Sequence, residues 1–160
     1  MTKLPLITIL IISLISFLFL PVAVAQDDYG YQYYPLNIID APVIVDLNVQ
    51  AVDQNQNGLY DYLQVNLDLD IQERGHYFFK WALLTIEGEE ITNYGLGTML
   101  KAGKRKQDIF IPSMSISRSQ LDGPYLLRID VVKDYKEIID RFEYQTQAFL
   151  AKDFESQHVP

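Results

Sequence analysis

The 160-residue sequence has no cysteine, one tryptophan, two histidines (His76 and His158), and 13 basic residues against 21 acidic ones. Without cysteine there is no disulfide, thiolate nucleophile, zinc ribbon, Fe–S cluster or lipid-modified N-terminal cysteine. Two histidines are too few for the His-rich sites that catalytic metals commonly use. No GxSxG, HExxH or convincing Ser/His/Asp set appears, so no enzymatic activity is expected. The abundance of Asp and Glu leaves a carboxylate-dependent hydrolase as the one catalytic alternative. Long amphipathic helical stretches are missing as well. What is present is 49% apolar and 21% charged residues, the composition of one globular domain.

The first 25 residues have the layout of a secretory signal: Lys3, an apolar run from Leu4 to Leu20, then Pro21-Val-Ala-Val-Ala25. Ala23 and Ala25 fit the A-x-A rule and predict cleavage before Gln26, giving a secreted or periplasmic protein. The alternative is an N-terminal membrane anchor, because about 20 apolar residues can span a bilayer. Cleavage leaves 12 basic against 21 acidic residues, a formal charge of −9. That charge repels phosphate backbones and anionic lipids, so no nucleic acid and no stable membrane insertion are expected after cleavage. Divalent cations suit it.

Residues 26–42 form an irregular leader whose four tyrosines, Tyr29 to Tyr34, cover a sheet face or edge or bind a sugar or protein. Leu36 to Ile39 is a further candidate edge segment. Residues 43–155 carry the domain. Val43, Val45, Leu47, Val49 and Ala51 alternate with polar positions, and Leu63, Val65, Leu67, Leu69 and Ile71 do so more cleanly. A period of two marks half-buried strands, here an antiparallel pair. Further strands are expected at 76–86, 90–100, 107–111, 125–131 and 138–149, with a helical turn within 113–121. Lys101, Lys104, Arg105 and Lys106 are assigned to a solvated hairpin turn that discourages edge pairing, and Trp81 to the core. Seven strands and no long helix predict an all-β, antiparallel, immunoglobulin-like sandwich. The tail beyond Phe154, including 156–160, is expected to fray.

One segment carries chemistry. Asp53, Asn55, Asn57 and Asp61 place oxygens at positions 1, 3, 5 and 9 of a loop with Gly58 at position 6, and the Leu59 carbonyl adds position 7. This is the spacing of a calcium loop, in which alternate side chains turn inward and glycine permits the sharp bend. At position 12, where an EF-hand has a bidentate Glu, stands Gln64, which strand parity points outward. With two charged ligands, Ca2+ would bind with a dissociation constant of order 0.1 to 1 mM. The competing explanation is a plain turn, since Asn57-Gly58 is a type I′ signal and such loops satisfy their own backbone.

The strings Asn57-Gly-Leu-Tyr-Asp-Tyr-Leu63, Asp122-Gly-Pro-Tyr125, Tyr144 to Phe149 and Asp153-Phe-Glu155 resemble a secreted bacterial and archaeal β-sandwich accessory module. Such modules are often appended to subtilisin-like peptidases or surface proteins. The resemblance implies a non-catalytic module that binds a partner protein or surface ligand, with an ion at the NGLYDYL loop. A second implication is an inhibitor or chaperone of a co-secreted peptidase. Tyr125, following Gly-Pro at a strand start, is placed to fold its hydroxyl back onto backbone as the tyrosine corner of sandwiches does.

Overall fold

A computed structural model describes residues 42–156. The signal segment, the leader tyrosines, Leu36 to Ile39 and His158 lie outside the described residues. Seven strands follow in order: β1 (Ile44–Val52), β2 (Tyr62–Ile71), β3 (Gly75–Thr85), β4 (Glu90–Leu100), β5 (Gly103–Pro112), β6 (Tyr125–Lys133) and β7 (Glu137–Gln145). A short helix α1 (Ser113–Ser119) separates β5 from β6, and a single 3-10 turn (Ala151–Asp153) follows β7. Among the described residues no helix is long and apolar enough to cross a membrane.

The strands form two antiparallel sheets in the orders β1-β2-β5 and β4-β3-β6-β7. The chain crosses from sheet to sheet after β2, β4 and β5, which makes an immunoglobulin-like sandwich. Its centre follows from the best alternation in the sequence. Leu63, Val65, Leu67, Leu69 and Ile71 are at most 1% exposed and join Phe79, Trp81 and Leu83 of β3 and Leu127, Ile129 and Val131 of β6 in one core. Because strand side chains alternate, the same pairing sends Gln64, Asn66 and Asp68 outward. There they meet Gln50, Asp108 and Lys106 across the strands.

The structure departs from the pattern-based assignments in three places. Val45 is 53% exposed, whereas Ile44 and Leu47 are buried. The register between β1 and β2 slips between Ile44 and Asp46, and the extra residue of such a bulge falls out of the alternation. Lys104, Arg105 and Lys106 are not in a turn but in β5, opposite Asp70, Leu69 and Asp68. The Gly103 backbone, at φ 104°, makes the bend two residues after Lys101. Finally, β7 ends at Gln145 rather than Phe149. Thr146 exchanges its amide and hydroxyl with Tyr125, after which the chain turns inward to bury Phe149.

Tyr125 is fully buried and its hydroxyl donates to the Leu121 carbonyl at 2.8 Å, the tyrosine-corner bond expected from the sequence. Burial, reinforced by the nearby Asp122 carboxylate, pushes its phenol up to about 12 from the usual 10.0. The folded state therefore holds the proton more tightly than the unfolded chain. Stability from this group is complete below pH 10 and is lost as pH rises towards 12. Tyr125→Phe is expected to cost about 0.5 to 1.5 kcal/mol at neutral pH and to flatten the alkaline limb of the stability profile. Urea denaturation between pH 8 and 12 checks both, and an unchanged alkaline limb would place the responsible group elsewhere.

Candidate metal centre

The loop between β1 and β2 hangs from two strand ends that are themselves tied. The Asp61 amide donates to the Val52 carbonyl at 2.8 Å, and the Ser113 amide donates to the Asp61 carbonyl at 3.1 Å. Between these anchors the chain has two left-handed residues, Gln56 at φ 60° and Gly58 at φ 91°. A type I′ turn on Asn57-Gly58 needs both central residues left-handed. Asn57 is not, so the bend is wider than a hairpin. Gly58 supplies the one strongly positive φ that a side chain would resist.

All four predicted side-chain ligands accept hydrogen bonds from the loop's own backbone amides. Asp53 accepts the amides of Asn57 at 3.2 Å and Gly58 at 2.8 Å. Asp61 accepts the Gln54 amide at 2.6 Å. Asn55 and Asn57 use their carboxamide oxygens on the amides of Asn57 at 3.0 Å and Leu59 at 2.8 Å. Leu59 sits at the exposed tip, 38% accessible. Gln64 faces outward and accepts a hydrogen bond from Gln50 at 3.1 Å, away from the loop.

Sequence reasoning missed one residue, Glu155, and assigned it to a fraying tail. It is 5% exposed. Its amide donates to the Tyr60 carbonyl at 3.0 Å, while the Tyr60 amide donates to the Asp153 carbonyl at 2.8 Å. Tyr60 and Phe154 form a short parallel bridge, and their rings lie 5.3 Å apart. The chain end is thus zipped onto the loop. The Glu155 carboxylate accepts from the Asn55 carboxamide at 2.8 Å and from that of Asn57 at 2.5 Å. The same Asn55 nitrogen also donates to Asp61 at 3.2 Å, so one neutral amide bridges two carboxylates. The aromatic spacing Phe149, Phe154 next to Glu155 was the available signal, because two core-forming rings hold the segment between them.

Asp53, Asp61 and Glu155 have no Lys, Arg or His partner among the described residues. Nor do three or more His, Cys, Asp and Glu side chains gather as a metal cluster by themselves there. A cation at this loop depends on carboxamide and carbonyl oxygens as well as carboxylates, the all-oxygen donor set of calcium. His76, the only imidazole the sequence offers within the domain, stacks on Tyr135 with ring centroids 4.6 Å apart. Its Nε2 lies 3.2 Å from the Tyr135 hydroxyl. No family model matches the chain, and no curated protein is similar to it at a significant level.

Proposed function

We propose that this chain is a non-catalytic exported β-sandwich module that binds a partner protein or surface ligand, with calcium stabilising the loop from Asp53 to Asp61. The observation that carries the calcium reading is Glu155. A carboxylate on a residue this buried is costly unless its charge is balanced, and among the described residues the side-chain donors that reach it are two neutral carboxamides. Two further carboxylates stand on the same loop without a basic partner. The Asn55 and Asn57 oxygens that accept the amides of Asn57 and Leu59 each keep a second lone pair that can serve a cation. Glu155 supplies the acidic ligand that Gln64 does not. Exposed Leu59 in the loop and Leu150 ahead of the zipped segment, at 38% and 43%, offer apolar contact to a partner.

The size of the effect follows from mass action. With a dissociation constant of about 0.1 mM, about 1 mM free calcium stabilises the fold by roughly 1.4 kcal/mol. In a domain of this length the melting temperature rises by about 3 to 6 °C. Asp53→Ala and Asp61→Ala abolish the increment and Glu155→Gln reduces it. Asp130→Ala, which breaks the pair with Arg141 on the other sheet, keeps it. Magnesium does much less, since it needs a tight octahedral shell and sheds water reluctantly. Thermal unfolding in chelator and in millimolar calcium is the test; identical midpoints would reduce the loop to a self-satisfied turn.

A further inference from the structure

Asn or Asp stands directly before glycine at two places in the chain, Asn57-Gly58 and Asp122-Gly123. There the glycine nitrogen can attack the preceding Cγ and close a five-membered succinimide, because no side chain restricts or shields the glycine backbone. The structure separates the two places. The Gly123 amide donates to the Phe149 carbonyl at 2.8 Å, and Asp122 Oδ1 accepts the Ala151 amide at 2.7 Å. A Cβ on Gly123 would lie 3.1 Å from the Tyr125 ring and 3.2 Å from the Phe149 nitrogen, so ring closure has no room there. A Cβ on Gly58 would meet nothing within 4 Å, and Asn57 and Gly58 are both exposed.

The hydrogen bonds around Asn57 match what the reaction needs. The Gly58 amide donates to Asp53 Oδ2 at 2.8 Å, so a carboxylate lies within the reach of a general base for the proton that the attacking nitrogen must lose. The Leu59 amide donates to Asn57 Oδ1 at 2.8 Å, the oxygen on which negative charge develops in the tetrahedral intermediate. The leaving nitrogen, Asn57 Nδ2, is held by the Glu155 carboxylate. Nucleophile, oxyanion and leaving group are thus each met by a different group of the same loop and chain end.

We propose that the folded loop deamidates itself at Asn57, and that the product loosens the tie between the loop and Glu155. The Gly58 nitrogen bonds to Asn57 Cγ while Asp53 takes its proton. The Cγ–Nδ2 bond then breaks as that proton passes through water to Nδ2, and ammonia leaves. Water opens the succinimide at either carbonyl, leaving aspartate or isoaspartate at position 57, so the balance is one water in and one ammonia out. The new carboxylate stands where a carboxamide donated to Glu155, and two like charges at that spacing repel. Conversion of Asn57 therefore weakens the zipper that the Tyr60 and Glu155 backbones form.

Peptide mapping by mass spectrometry of the purified full chain, aged at neutral pH in chelator, tests this; the chelator makes the outcome independent of whether calcium binds the loop. A mass gain of about 1 Da, amide to acid, is expected at Asn57 before any other Asn, with isoaspartate among the products. It is expected sooner in the folded chain than in the same chain held in urea. Asp53→Asn keeps an acceptor oxygen but cannot take the proton, and slows conversion about tenfold or more, the low end for a positioned base. Thermal unfolding confirms that this variant is folded. In the aged protein the Glu155 amide exchanges hydrogen faster than in the fresh one, while the Leu67 amide does not. A folded chain that converts more slowly than the denatured one overturns the proposal, since the hydrogen bonds would then protect Asn57. So does Asp53→Asn converting at the parent rate, or an aged chain whose Glu155 amide exchange is unaltered.

Discussion

Leu67→Ala is expected to lower the unfolding free energy by about 2 to 5 kcal/mol, the sum of lost transfer energy and the cavity left behind. Leu67 lies mid-strand in β2, the central strand of its sheet, with 0% exposure. Neighbours on both sides, Leu47 and Gln107, are held by strand pairing, so the site cannot collapse to fill the void. The adjacent Asp68 gives the comparison. Its side chain is 47% exposed and its partner Lys106 is 83% exposed, and an ion pair in such solvent contact is worth at most about 1 kcal/mol. Asp68→Ala should therefore cost less than about 1 kcal/mol. Urea denaturation with unchanged m-values measures both. Equal losses at the two positions would mean that burial does not alternate along β2 as described.

The second large effect is predicted at Asp140. Its carboxylate is 7% exposed and one oxygen accepts the amides of Val43 at 2.7 Å and Ile44 at 2.9 Å. β7 and β1 belong to different sheets, so this side chain clips the sandwich together at one margin. Asp140→Ala strands two buried donors, each worth about 1 to 3 kcal/mol when left without an acceptor, and a total loss of about 2 to 5 kcal/mol is expected. Asp140→Asn keeps a carbonyl acceptor and should recover at least half of it. Hydrogen exchange separates the clip from a global effect. In Asp140→Ala the Val43 and Ile44 amides should exchange faster than the Leu67 amide, whose opening tracks complete unfolding. Uniform acceleration across β1 and β2 would contradict a local role.

The value of these two sites differs in origin, and so does their visibility in the sequence. Leu67 belongs to a run in which every second residue from Leu63 to Ile71 is apolar, and one-sided burial of a strand leaves just that trace. The same alternation located β6, whereas β3 showed as a run rich in aromatic and β-branched residues and β4 as a weaker, glycine-containing stretch. The Asp53 to Asp61 loop was legible because its oxygens and Gly58 are close in sequence. Tyr125 was legible because Gly-Pro precedes it and its acceptor, Leu121, is four residues away. Each of these interactions is local or periodic, and local chemistry writes itself into neighbouring residues.

Asp140 carries no such trace, and Glu155 only the indirect one of the aromatic residues beside it. Asp140 meets Val43 from 97 residues away, and Glu155 meets Asn55 from 100 residues away. A carboxylate followed by ordinary residues looks the same whether water or a buried amide receives it. Val45 and the Lys104 to Lys106 stretch were misplaced for a related reason. A bulge shifts which side a residue faces without altering its identity, and whether basic residues sit in a turn or along an edge depends on where the partner strand stops. The residue pattern alone determined the class of fold, the faces of its central strands and the spacing of the candidate cation loop. Tertiary structure decided which distant carboxylates meet the loop and clip the sheets, because those outcomes depend on how the crossovers bring remote segments into register.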